Sequence, residues 1–257
     1  MQHDFLSTLH YACDSAGKYL KQHFGGFPEI AQKESHHSIV TAHDLAAEQI
    51  LIESISRDFP DHAILSEEAG WIRKGADTIW VIDPLDGTSY YSRGIGNFSV
   101  SMAVIHQNNI IAGMVHLPMM DHFVYAEKGK GAFCNRKPIH TSLVATLEES
   151  IGSFGHRYIR LPEYEPRSRQ LLQRARSIRG GGSCAMELAL LAMGKIDFLI
   201  TVNQSFWDYA AGALLVKEAG GHLVDLNGQP PIIAHHIDSR FDVVASNHPL
   251  RQQLSGL

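Results

Sequence analysis

Hydrophobic positions along this chain change period several times, and each change marks a new element. From residue 4 to 24 the apolar residues Phe5, Leu9, Ala12, Ala16, Tyr19 and Leu20 recur at three- and four-residue intervals. That spacing predicts an amphipathic helix, which Gly25-Gly26 and Pro28 stop. Residues 30–33 read as a short strand. Thr41 is a good N-cap with Asp44 three positions on, the start signal for a second helix. It carries Leu45, Leu51, Ile52, Ile55 and Phe59 and runs to Pro60. Residues 63–65 form a short strand that runs into Ser66-Glu67-Glu68, and residues 69–77 read as a loop. Residues 78–82 are an apolar, β-branched run, the signature of a buried strand.

Beyond that run, residues 98–106 and 110–117 pattern as a hairpin around Asn108-Asn109, and 122–126 as a further strand. Lys128-Gly129-Lys130-Gly131 turns this strand toward Ala132-Phe133. The second half alternates: strand 151–154, a helix within 163–176, a glycine-rich loop, helix 185–193, strand 196–201. A helix over 207–219 ends at Gly220-Gly221, a good C-terminal stop, and strands at 222–225 and 241–245 follow. The reading is one folding unit over 1–257, with an α+β lobe (about 1–140) and an α/β lobe (about 141–257).

Composition narrows the class. With 257 residues, 44% of them hydrophobic and 19% charged, the chain reads as an ordinary soluble enzyme. A net charge of −5 gives no electrostatic reason to bind nucleic acid or anionic membrane, and neither is expected as a partner. Cys13, Cys134 and Cys184 are far apart with no C-x-x-C pair, which points to a reducing, cytoplasmic setting. No apolar run reaches bilayer length, and the N-terminus lacks the pattern of a signal peptide. The sixteen histidines are scattered, and the pairs His36-His37 and His235-His236 lack the helical spacing of a zinc site, so they read as surface or core residues.

The chemistry concentrates after residue 82. Asp83 and Asp86 follow the strand, separated by Pro84 and Leu85, and then comes Gly87-Thr88. Pro84, with fixed φ and no N–H, is expected to end the strand and let the two carboxylates converge. Gly87 allows close backbone approach, and neighbouring N–H groups can face an anion. Carboxylates beside an anion-binding backbone imply divalent cations between protein and phosphate. Glu67 after a strand and Asp208 at a helix start are acids of the same kind. Singly each has an ordinary explanation, Asp208 as a first-turn acid and the others as turn residues.

Together they form a pattern. Ser66-Glu67-Glu68, Trp80-Val81-Ile82-Asp83-Pro84-Leu85-Asp86-Gly87-Thr88 and Trp207-Asp208-Tyr209-Ala210-Ala211-Gly212 occur in the order of three signatures. Here the chain resembles the inositol monophosphatase family of metal-dependent, lithium-sensitive phosphatases. Glu218-Ala219-Gly220-Gly221 and Lys128-Gly129-Lys130-Gly131-Ala132-Phe133 extend the likeness, which covers about residues 33–247. The resemblance implies a layered αβαβα sandwich, usually as a homodimer, and hydrolysis of a small phosphorylated metabolite with two or three Mg²⁺ ions. It places metals on Glu67, Asp83, the Leu85 carbonyl, Asp86 and Asp208. The attacking water is activated by metal and through Thr88 and Asp44. Phosphate and substrate fall to Gly87, Thr88, Ser89, Gly182, Ser183 and Thr201.

Departures from the family concern substrate. Where inositol-specific members carry a glutamate that grips sugar hydroxyls, this chain has Thr201; the usual Asn-Phe is Tyr90-Tyr91, and an expected aspartate is Ser38. A threonine cannot accept two hydroxyl protons as a carboxylate does. Arg157, Arg160, Arg167, Arg169, Arg174, Arg176 and Arg179 read first as a solvated face interleaved with glutamates. If some point into the cleft, they suit a second phosphate. Inositol monophosphate is the default substrate. Fructose 1,6-bisphosphate, 3′-phosphoadenosine 5′-phosphate and histidinol phosphate are the alternatives, and a non-catalytic regulator binding protein or RNA is the rival from another class.

Overall fold

The structure is a computed structural model that describes residues 4–26, 30–32, 39–231, 233 and 239–255. In chain order α1 (Phe5–Gln22) leads to the antiparallel pair β1 (Ile30–Gln32) and β2 (Ile39–Thr41), α2 (Ala42–Asp58), β3 (Ala63–Ser66), β4 (Gly70–Ile72) and β5 (Thr78–Asp86). The short α3 (Thr88–Tyr91) precedes β6 (Ser99–His106), β7 (Asn109–Leu117), β8 (His122–Glu127), β9 (Ala132–Cys134) and β10 (Lys137–Ile139). Then come β11 (Ile151–Phe154), α4 (His156–Arg160), α5 (Glu165–Arg174), β12 (Ser177–Arg179), α6 (Cys184–Ala192) and β13 (Phe198–Gln204). The chain closes with α7 (Phe206–Glu218), β14 (His222–Val224), β15 (Phe241–Ser246) and α8 (Arg251–Ser255).

Eight strands form one sheet in the order β10-β9-β8-β7-β6-β5-β3-β4, and five form a second in the order β12-β11-β13-β15-β14. The helices cover these sheets in three layers. Leu9, Ala12, Ala16 and Leu20 of α1, with Ala47, Leu51 and Ile55 of α2, pack on Ile64, Trp80, Ile82, Val100 and Met102 of the larger sheet. Its other face, through Leu65, Val81, Ala103 and Val115, meets α6 and α7, which in turn meet Leu199, Val243 and Ala245 of the smaller sheet. Tyr158, Leu171 and Leu254 cover the far face of that sheet, against Phe198, Ile200 and Val202. The result is the expected αβαβα stack.

The two central helices are apolar all round because both sides face a sheet. They are also rich in small residues, and the packing says why. A Cβ added at Gly212 of α7 would lie 2.4 Å from Leu188 of α6, and one at Gly113 of β7 would lie 3.1 Å from Ala211 of α7. Small side chains let α6, α7 and β7 approach closely at the centre of the molecule.

Three expectations need correction. The stretch 69–77 is not all loop: β4 pairs antiparallel with β3 through Ile64↔Ile72 and Ser66↔Gly70. The two-residue turn before β7 is Gln107-Asn108, both at positive φ (47° and 59°), and Asn109 already pairs with His106. Strand β5 does not end at Pro84 but continues to Asp86. Pro28, Lys33, His36, His37, Ser38, His235 and His236 lie outside the described residues.

Candidate active site

The end of β5 carries the first two acids, and a bulge aims them. Asp83 pairs with Ser101 of β6, yet Asp86 pairs with Ser99, so three steps on β5 oppose two on β6. Pro84, with no N–H to give the ladder, sits inside this irregularity, where a proline is tolerated. The Leu85 N–H instead donates to Asp83 Oδ1 at 3.1 Å. Gly87 then turns the chain at φ 101°, and a Cβ there would lie 2.6 Å from the Asn97 carbonyl. Only glycine fits this turn, which delivers Thr88 to the first position of α3.

Hydrogen bonds from the main chain and from hydroxyls orient each aspartate. Asp83 is fixed by its own turn. Asp86 Oδ2 accepts from Ser183 Oγ and from the Ala185 N–H, both at 2.7 Å, which ties it to the start of α6. Asp208, third residue of α7, accepts the Ser205 N–H at 2.8 Å in a capping box. Asp44, third residue of α2, accepts the Thr41 N–H at 2.8 Å on Oδ2 and the Thr88 hydroxyl at 2.8 Å on Oδ1. The same hydroxyl lies 3.0 Å from the Leu85 carbonyl. The two helix-start aspartates thus satisfy caps and still face the end of β5. Glu67 follows β3, its N–H donating to Ile82 O of β5 at 3.3 Å.

Electrostatics make this cluster unstable as bare anions. Burial, then the charges of Glu67, Asp86 and Asp208, pushes the Asp83 carboxyl well above the usual range. Asp208 is raised by burial and by Asp86 and Glu67, partly offset by the Ser205 N–H and Arg240. Asp86 is pushed up to about 7, chiefly by burial, although its bonds from Ser183 and Ala185 act against the rise. Asp44 is also raised by burial, against the bonds from Thr41 and Thr88. Acids that repel one another in a buried place need protons or cations between them. Their oxygens are the hard donors that Mg²⁺ takes, so the donor set fits that ion. Among the described residues no three acid, imidazole or thiol groups form a ready-made ligand shell; the fit rests on donor chemistry and charge.

A cleft of about 900 Å³ opens beside the acids. Glu67, Asp86, Gly182, Ser183, Thr201 and Asp208 line it, whereas Asp44, Asp83, Leu85, Gly87, Thr88 and Ser89 do not form its wall. Gly182 has φ 78°, and a Cβ there would overlap the Tyr90 ring at 2.0 Å, so the loop before α6 and the residue after Ser89 close one side together. The buried Ser183 hydroxyl is engaged by Asp86, Ser99 Oγ at 3.1 Å and the Met186 N–H at 3.1 Å. Thr201 is buried against Gly155, where any Cβ would strike its hydroxyl.

Most of the arginines belong to the solvated face. Arg169 pairs with Glu165 and Arg174 with Glu148, Arg167 donates to Leu254 O, and Arg160 and Arg176 are exposed. Arg157 lines the cleft, with Nη1 3.4 Å from the Asn203 carbonyl. Arg240, which sequence reasoning passed over, lines it too. So does Glu187, whose buried carboxylate lies 3.4 Å from Arg179. Neither of these had a local signal: Arg240 stands next to β15, far in sequence from every acid it accompanies.

The model of the inositol monophosphatase family matches residues 1–254. The fructose-1,6-bisphosphatase/inositol-1-monophosphatase of Thermotoga maritima is 38% identical over 213 residues, 83% of this chain and 81% of that protein. The Nus factor SuhB of Pseudomonas aeruginosa is 35% identical over 216 residues, covering 81% of this chain and 78% of its own. Among solved structures, the Thermotoga maritima IMPase superposes with a TM-score of 0.89 at 33% identity, over 99% of this chain and 96% of that one. A match along almost the whole length, on a shared fold, means that the chain belongs to the inositol monophosphatase family.

Proposed function

We propose that this protein is a Mg²⁺-dependent phosphomonoesterase acting on a small phosphorylated metabolite. The observation that carries the reading is the meeting of Glu67, Asp86 and Asp208 on one cleft, with Asp83 buried close by and its pKa raised by that burial and by their charge. Glu67, Asp83, the Leu85 carbonyl, Asp86 and Asp208 would hold the ions, two or three in number. When bound, the ions neutralise the acids, polarise the phosphoryl oxygens and lower the pKa of water. Thr88 and Asp44 handle the proton. With its own hydrogen directed at Asp44 Oδ1, Thr88 Oγ1 presents lone pairs that orient an attacking water and accept its proton as Asp44 takes the other. Burial, which raises the Asp44 pKa, favours that uptake. The N–H groups at Gly87, Thr88 and Ser89, which open α3 and lack partners within it, suit the phosphate oxygens.

Inositol monophosphate is the default substrate. A second reading, a bisphosphate, is supported by Arg157 and Arg240 on the cleft wall and by Thr201 on the same wall, whose hydroxyl cannot accept two hydroxyl protons as a carboxylate would. A non-catalytic regulator is the rival that relatives named Nus factor SuhB keep in view; it predicts eroded acids, and all four are present. Among the described residues no helix is long and apolar enough to cross a membrane. The homodimer is likewise our proposal; exposed Ile95, Met119 and Met120 offer apolar surface for it. Phosphate release with Mg²⁺, with and without lithium, across inositol 1-phosphate, fructose 1,6-bisphosphate, 3′-phosphoadenosine 5′-phosphate and histidinol phosphate tests the reading. One substrate turned over far faster than the rest, with inhibition by lithium, is expected; no turnover of any by metal-loaded protein contradicts it.

A further inference from the structure

Helix α2 presents a second buried acid one turn after Asp44. Glu48, at i+4 from Asp44, lies on the same face, and the two side chains are 6% and 1% exposed. Its Oε1 accepts the Ser66 hydroxyl, the Glu68 N–H at 3.2 Å and the Ala69 N–H at 2.9 Å. These three donors flank Glu67 on both sides in the chain. Among the described residues no cationic side chain pairs with Glu48, so these dipoles are what compensate it. One face of one helix therefore braces both sources of acids: Asp44 holds Thr88 after β5, and Glu48 holds the turn after β3.

We infer that Glu48 is a positioning residue that fixes the Ser66–Ala69 turn so that the Glu67 carboxylate meets the aspartates, and thereby sets the cation affinity of the cleft. The inference rests on the function proposed above. Glu48 itself points away from the reacting atoms, into the turn. Partners of this kind behind ligating side chains typically change metal affinity by about 10–100-fold when removed.

The test is a calorimetric titration of Mg²⁺ into metal-free protein, without substrate. Glu48→Gln is expected to weaken binding by about tenfold or more, to leave KM at saturating Mg²⁺ unchanged, and to recover kcat as Mg²⁺ is raised. Ser66→Ala keeps the Glu48 charge and removes one donor; it should weaken Mg²⁺ binding in the same direction, about two- to fivefold. Should Glu48→Gln fail to fold, Ser66→Ala decides. Folded variants that bind Mg²⁺ within twofold of the parent, while losing only thermal stability, overturn the inference. A parent protein that binds no Mg²⁺ overturns the proposed function, and this inference with it.

Discussion

At the scale of single residues, environment decides what each acid or base can do. His116, a core histidine, is buried beside Gly17 of α1 and stacked on Phe123 at 4.0 Å, with Nδ1 2.9 Å from the Cys13 carbonyl. Burial lowers its pKa from 6.5 to about 4. The folded state then binds fewer protons than the unfolded chain between these values, so stability is full above the unfolded pKa and falls as pH drops. Replacing His116 by Phe should remove this part of the acid limb, seen as a smaller loss between pH 6.5 and 4 in urea unfolding; an unchanged difference would contradict it. Thr201→Glu tests the pocket. A carboxylate there should raise preference for polyol phosphates, and an unchanged substrate profile would show that position 201 does not meet substrate.

The gathering of the acids was legible because its signals are local. Asp83, Asp86 and Gly87 stand within five positions, and Glu67 and Asp208 each belong to short motifs. Glu48 left no such trace. Its partners include main-chain N–H groups some twenty positions away, which no side-chain pattern reports. Ser183 was legible as a residue of the glycine-rich loop on the cleft, but not as a holder of Asp86, since that bond joins segments 97 positions apart.

At the scale of elements, long apolar periods were legible, as were the short strands β3, β11 and β14, but β4 was not. Helices α1, α2 and α7 and the hairpin of β6 and β7 follow from spacing and caps. Strand β4 was hidden because Trp71 and Ile72 sit among charged and glycine residues, and three residues give too little alternation to see. The end of β5 was misjudged for a physical reason. Pro84 withholds a ladder bond without stopping the strand, because the bulge already places it out of register. Gly87 is the hinge of that ending. Gly87→Ala should cost about 2 kcal/mol or more, from the left-handed φ and the Asn97 carbonyl. Turnover should fall with it as Thr88 is displaced; a variant with parental stability and rate would show the turn is tolerant.

At the scale of the whole molecule, the layers bring Glu67, Asp86 and Asp208 to one cleft with Asp83 close by, and the cost is repulsion. In metal-free protein Asp86 titrates near 7, with Asp83 and Asp208 also raised. The folded state then holds more protons than the unfolded chain from the ordinary carboxylate range up to that region, so stability falls as pH rises through it. The lowered pKa of His116 works in the opposite direction, its contribution rising with pH, so a fall from pH 6.5 to 8 belongs to the acids. Chelator-treated protein should be less stable at pH 8 than at 6.5, and excess Mg²⁺ should reverse the order; no pH dependence and no Mg²⁺ effect would contradict the charge account.

The most direct measurement compares Asp86→Asn with the parent in phosphate release, after chelation and return of Mg²⁺. The carboxamide oxygen can still accept from Ser183 and Ala185, so the fold should persist. The parent should regain turnover with Mg²⁺ while the variant stays inactive with an unchanged circular dichroism spectrum. Variant turnover above a few per cent of the parent's, or parent turnover indifferent to Mg²⁺, would contradict the claim that these acids gather cations for phosphate ester hydrolysis.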